Sequence, residues 1–106
     1  MTKKVRAAID AMGGDHAPQA IIEGVNLAAQ ADPDLDFILF GDQKQVVPLL
    51  ERHHHLNGRV EFVHTDVVVL PTDKPRDAMR AKRAGSSMRL SVEAVKRGEA
   101  DYCLSA

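Results

Sequence analysis

Apolar residues fall in short unbroken runs, separated by longer stretches where they recur every third or fourth place. The first kind reads as buried strand and the second as helix with one apolar face. Residues 5–12, nearly continuous in apolar or small side chains and stopped by Gly13 and Gly14, predict a strand. Residues 18–30 predict a helix with Ala20, Ile21, Gly24, Val25, Leu27 and Ala28 at its apolar positions. Asp15 is a candidate N-cap, and Pro18 suits the first turn. Asp32-Pro33-Asp34 turns the chain into residues 36–42, where four consecutive apolar residues imply a strand covered on both faces.

Gly41-Asp42 opens a helix over 43–54, with Val46, Val47, Leu49 and Leu50 apolar. Pro48 fits it only in a first turn, so the helix either begins late or bends. Asn57-Gly58 stops it, and residues 59–65 alternate as a third strand. Residues 66–74 mix an extended run with the loop chemistry of Pro71-Thr72-Asp73-Lys74-Pro75, a loop that closes over a ligand or a neighbour. Pro75 opens a polar helix to about residue 83. Gly85-Ser86-Ser87 precedes another over 88–97, with Met88, Leu90, Val92, Ala94 and Val95 apolar and Gly98 at its C-terminus. Residues 100–106 predict a fourth, buried strand. The order β-α-β-α-β-loop-α-α-β implies right-handed crossovers: a three-layer α/β fold with a mainly parallel sheet and helices on both faces.

Composition narrows the picture. A length of 106 residues suits one domain, and ending on a strand suggests a fragment of a larger one. Fourteen Lys and Arg against fifteen Asp and Glu give a net charge of −1, and aromatic residues are 4%, so nothing points to nucleic acid. One cysteine, Cys103, excludes an internal disulfide and reads as core. No stretch approaches a spanning helix, so a soluble cytoplasmic protein is expected.

Ligands of open α/β sheets gather at the C-terminal ends of the strands. Residues 10–16, Gly41-Asp42, residues 65–74 and Ser105-Ala106 lie there. Gly13-Gly14-Asp15 reads equally as a tight turn with an Asp cap and as a glycine turn that admits an anion to a helix N-terminus. It is neither a dinucleotide fingerprint nor a Walker loop. Asp10 and Asp15 repel an anion unless donors outweigh them, so they set the turn, orient donors or hold a metal. Ser86 and Ser87 cap a helix amid Arg80, Lys82, Arg83 and Arg89, either a solvated basic face or an anion site. His16 reads as a helix-start residue. His53-His54-His55 reads as a solvated helix end, because adjacent residues do not share a metal-binding face.

Taken in order, Ala8-Ile9-Asp10-Ala11-Met12-Gly13-Gly14-Asp15, Gly41-Asp42, Arg80, Gly85-Ser86-Ser87-Met88-Arg89, residues 95–100 and Ser105-Ala106 resemble the bacterial phosphate acyltransferases of phospholipid synthesis. In that family the last pair begins a Ser-Ala-Gly-Asn-Thr-Gly-Ala loop. The resemblance implies transfer of a long acyl group from acyl carrier protein to inorganic phosphate. The product, an acyl phosphate, then serves a membrane-bound glycerol-3-phosphate acyltransferase. It also implies a Rossmann-like fold related to isocitrate and isopropylmalate dehydrogenases, a homodimer, no cofactor, and work at the inner face of the membrane. Family members are much longer, so an inactive N-terminal portion is expected here. Substrate-binding positions implied by the match are Asp10, Gly13, Gly14, Asp15, Arg80, Ser86, Ser87 and Ser105, with Arg80 as phosphate cation and no catalytic role carried onto His16. Two other readings remain: a dehydrogenase-type enzyme on the same fold, and a non-catalytic binding or dimerisation module.

Overall fold

A computed structural model describes residues 4–14, 16–65 and 86–105. The predicted helix at 75–83, the loop at 66–74, Asp15 and Arg80 lie outside these residues. The elements are β1 (Val5–Asp10), α1 (Gln19–Ala31), β2 (Leu35–Gly41), α2 (Gln43–Leu50), a 3-10 turn (His54–Leu56), β3 (Val60–His64), α3 (Ser87–Lys96) and β4 (Tyr102–Leu104). All strand pairings are parallel, in the order β3-β2-β1-β4.

Alternation along β1 and β2 divides the core into two layers. Ala7, Ile9, Phe37 and Leu39 meet Ile22, Val25 and Ala29 of α1, Val46 of α2 and Leu56 on one face. Ala8, Ile38 and Phe40 meet Ala94 of α3 and Ala100 on the other. The three-layer α/β architecture expected from the pattern is therefore present. Burial of whole Val, Leu, Ile and Phe side chains, each stabilising by roughly 1.5–3 kcal/mol, concentrates on β2 and the helix face above it.

Several details depart from the pattern. The buried face of α1 is Ile22, Val25 and Ala29, one step from the expected one, and Leu27 is 65% exposed. Among the described residues no side chain caps this helix; Pro18 occupies its N-cap position, and Asp15, the expected cap, lies outside those residues. The second helix ends at Leu50 with Pro48 inside it, rather than at residue 54. Lacking an N–H, Pro48 cannot bond the carbonyl four residues back, and the chain tightens into a 3-10 turn soon afterwards.

Helix α3 buries Ser87, Ser91 and Ala94, not its larger apolar residues. Small side chains let it lie close to Ala8 of the sheet, and the Ser91 hydroxyl satisfies itself by donating to the Met88 carbonyl at 2.8 Å. Its C-terminus is a Schellman motif. Gly98, at φ +76°, donates to Val95, and the Glu99 N–H reaches the Ala94 carbonyl. Strand β4 spans three residues and is not buried: Tyr102 is 39% and Leu104 55% exposed.

Arg59 ties the first half together. Its guanidinium donates to the carbonyls of Ala29 and Asp32 at the end of α1 and of Leu35 at the start of β2. Helix ends leave such carbonyls without intrahelical partners. Arg6 of β1 pairs with Glu61 of β3 across the sheet.

Candidate functional site

Parallel strands place all their C-terminal ends on one edge. The chain leaves β1 through α1 on one face and steps outward to β2 and β3. It then returns through α3 on the opposite face to set β4 on the other side of β1. The direction of winding thus reverses between β1 and β4, the position where open α/β sheets leave a crevice for ligands.

Asp10 and Ser105 meet there. Asp10 ends β1 and is 3% exposed. One carboxylate oxygen, Oδ1, accepts the Met12 N–H at 3.0 Å and shapes the turn that follows. The other, Oδ2, accepts the Ser105 hydroxyl at 2.7 Å, across 95 residues of chain. Ser105 itself is exposed. The start of β4 is pinned as well, since Asp101 accepts the Arg6 N–H and donates its own N–H to the Arg6 carbonyl, both at 2.8 Å.

The turn after β1 leans over the end of β2. Ala11 continues the ladder to the Phe40 carbonyl at 2.9 Å. A Cβ on Gly41 would sit 3.1 Å from the Met12 side chain and 3.2 Å from Val46, so a glycine there lets the turn settle. Gly14 has φ +93°, a left-handed conformation that favours glycine; no positive φ occurs at Gly13, which is half-buried.

Helix α3 runs back from the C-terminal edge, so Ser86 and Ser87 stand at the same edge on the opposite face. Both are buried. The Ser86 hydroxyl accepts the Arg89 N–H at 3.2 Å, a helix cap, and the Arg89 guanidinium is held by Glu93 at 3.0 Å. Of the expected site residues, the structure joins Asp10 directly to Ser105. It sets Gly13 and Gly14 beside them and Ser86 and Ser87 across the edge, while Asp15 and Arg80 are outside the described residues.

The Gly41-Asp42 end is closed off. Asp42 accepts from the Lys44 N–H at 3.0 Å and from the Gln45 side chain at 3.1 Å, and His64 Nδ1 accepts the Gln43 N–H at 3.0 Å. The donors an anion would need at this helix start are already engaged. Those hydrogen bonds, first from Gln45 and then from Lys44, hold the Asp42 carboxyl below its ordinary 3.8.

An apolar groove of about 370 Å³ runs along α1 and β4 and ends at Asp10 and Ser105. Ala20, Ile21, Gly24 and Ala28, part of the helix face expected in the core, line one wall, and Tyr102 and Leu104 form the other. Among the described residues, no cluster of His, Cys, Asp or Glu side chains is gathered to hold a metal ion.

Sequence reasoning missed the roles of Arg59, His64 and the Asp10–Ser105 bond. Each joins residues at least 21 positions apart, and no local pattern announces it.

The family model described as "Fatty acid synthesis protein" matches residues 5–106. The chain belongs to the fatty acid synthesis protein family. Among its relatives, it is 53% identical over 106 residues to a phosphate acyltransferase of Beijerinckia indica, 28% of whose length it covers. It is 49% identical over the same length to a phosphate acyltransferase of Azorhizobium caulinodans and 42% to one of Afipia carboxidovorans, covering 30% of each. The chain therefore spans under a third of the length of these members of the family, and the sheet edge described above falls wholly within the shared part.

Proposed function

We propose that this chain supplies one side of the site of an enzyme that moves a long-chain acyl group from acyl carrier protein to inorganic phosphate, making acyl phosphate for phospholipid synthesis. The observation that carries this reading is identity of 42–53% with proteins named phosphate acyltransferase, over a matched length that includes every segment forming the crevice between β1 and β4.

The reaction needs three things. A phosphate oxygen must attack the thioester carbonyl, so the two reactants are held together. Donors must meet the negative charge that develops on the carbonyl oxygen. The thiolate of the carrier must then leave. No protein nucleophile takes part in this scheme. Main-chain N–H groups at Gly13, Gly14, Ser86 and Ser87 are the donors offered by these segments, with Arg80 as phosphate cation and Asp10 and Asp15 as turn-builders. The apolar groove that ends at Ser105 offers the acyl chain a surface leading to the same place.

In this reading the full-length protein is a homodimer that works in the cytoplasm, at the inner face of the membrane, beside the glycerol-3-phosphate acyltransferase that consumes its product. That association is peripheral in this reading; no described helix is long and apolar enough to cross a membrane. The test is formation of acyl phosphate by full-length protein from acyl-acyl carrier protein and phosphate, with no nicotinamide added. Turnover that instead depends on nicotinamide would replace this reading with a dehydrogenase. Residues 1–106 alone are expected to be inactive; acyl phosphate made by them would show the site to be complete within the chain.

A further inference from the structure

The bond between Asp10 and Ser105 has a direction. A carboxylate brings acceptors only, so the proton between Oδ2 and Oγ is the serine's. Asp10 is buried, hence the hydroxyl spends its one proton inward and leaves its lone pairs for the groove that Ser105 lines. Rotating that proton outward would strip a buried acceptor oxygen of its donor, which is unfavourable. At this position the crevice therefore accepts hydrogen bonds and does not donate them.

We propose that the Asp10–Ser105 pair selects a tetrahedral anion that still carries a proton, and so separates phosphate from sulfate. At neutral pH inorganic phosphate keeps at least one P–OH, which donates to Ser105 Oγ. Sulfate has none, and its oxygen would face a lone pair. Desolvated sites reject an analogue that leaves their polar groups unpaired. This inference rests on the reading that the crevice holds inorganic phosphate. Within it, Asp10 is a positioning residue that acts through Ser105.

The experiment compares phosphate and sulfate in full-length protein, as the KM for phosphate and the inhibition constant of sulfate against it. Wild-type protein is expected to favour phosphate at least a hundredfold. In Asp10→Asn the amide oxygen stays with the Met12 N–H, so the NH₂ group donates to Ser105 and the serine proton swings outward. The preference should then fall at least tenfold, mainly because sulfate binds better. Ser105→Ala, at an exposed position, should also lower the ratio, and Ser105→Thr, which keeps the hydroxyl, should restore it. Equal loss of both anions in Asp10→Asn and Ser105→Ala, with the ratio unchanged, would reduce the pair to a structural brace and overturn the proposal. Sulfate competing as well as phosphate in wild-type protein would do the same. Absence of any phosphate-dependent turnover in wild-type protein would instead remove the functional reading itself.

Discussion

Strand β1 has two very different neighbours. Along β2 it is paired over all six of its residues, and both faces of that ribbon are covered by helices and by Leu56 and Ala100. Along β4 it is paired over three, and the α1-side face of β4 lies open beside a groove. The well-packed flank carries the stability, whereas the proposed crevice chemistry depends on the sparsely held one. Binding elements are commonly drawn from the less stable parts of a fold, positioned by a rigid remainder.

The sharpest way to break this contrast is Phe37→Ala. Phe37 is only 2% exposed at the centre of the packed flank, so truncation should cost about 3–5 kcal/mol in a denaturant titration. A loss below about 1 kcal/mol would mean that β2 does not dominate. Next comes Arg59→Ala, which strips donors from the carbonyls of Ala29, Asp32 and Leu35. We expect a loss of about 2 kcal/mol. Amide exchange should speed up at Asp32, whose N–H bonds Ala28 at the end of α1, more than at Cys103; the reverse order would place the clamp elsewhere.

A smaller effect belongs to Asp42 at the start of α2. Its carboxyl is held below 3.8 by the hydrogen bonds from Gln45 and Lys44. A carboxyl depressed in the folded state stabilises fully above its unfolded value. That contribution is lost as pH falls through the lower folded value. Acid titrations of wild type and Asp42→Asn should diverge only in that window, since asparagine still caps the helix. Parallel curves would remove Asp42 as a source of acid sensitivity. Smallest of all, Leu104→Ser on the open flank should change the stability of the 106-residue chain by no more than about 0.5 kcal/mol. A loss well beyond that in full-length protein alone would show the groove to be covered there.

The same contrast marks what the sequence made legible. The apolar run Phe37-Ile38-Leu39-Phe40 announced a strand covered on both faces, because a buried strand leaves an unbroken apolar signature. Asp42 and Gly98 announced the ends of two helices through local hydrogen-bond chemistry. The face of α1 was harder to phase, since its apolar arc is wide enough to serve both the core and the groove wall. In α3 the pattern misled: close approach to the sheet selects Ser87, Ser91 and Ala94 for size, which hydropathy does not record. Within the crevice, Gly14 was legible as a turn, whereas the pairing of Asp10 with Ser105 depends on strand order and is invisible along the chain.

The two pairings of β1 also set a schedule for self-assembly. Ala7 meets Phe37 after a short excursion through one helix, but waits for Tyr102 until β2, β3 and α3 have been laid down. Closing a longer loop costs more entropy, and three paired residues repay less of it than six. We expect β4 to dock last of the four described strands, so that the hydroxyl of Ser105 reaches Asp10 only when β1, β2 and β3 already stand. Pulse-labelling exchange that protected the Cys103 amide before that of Ile38 would reverse this order. A crevice completed at that step leaves buried Asp10 without the Ser105 hydroxyl until β4 is in place.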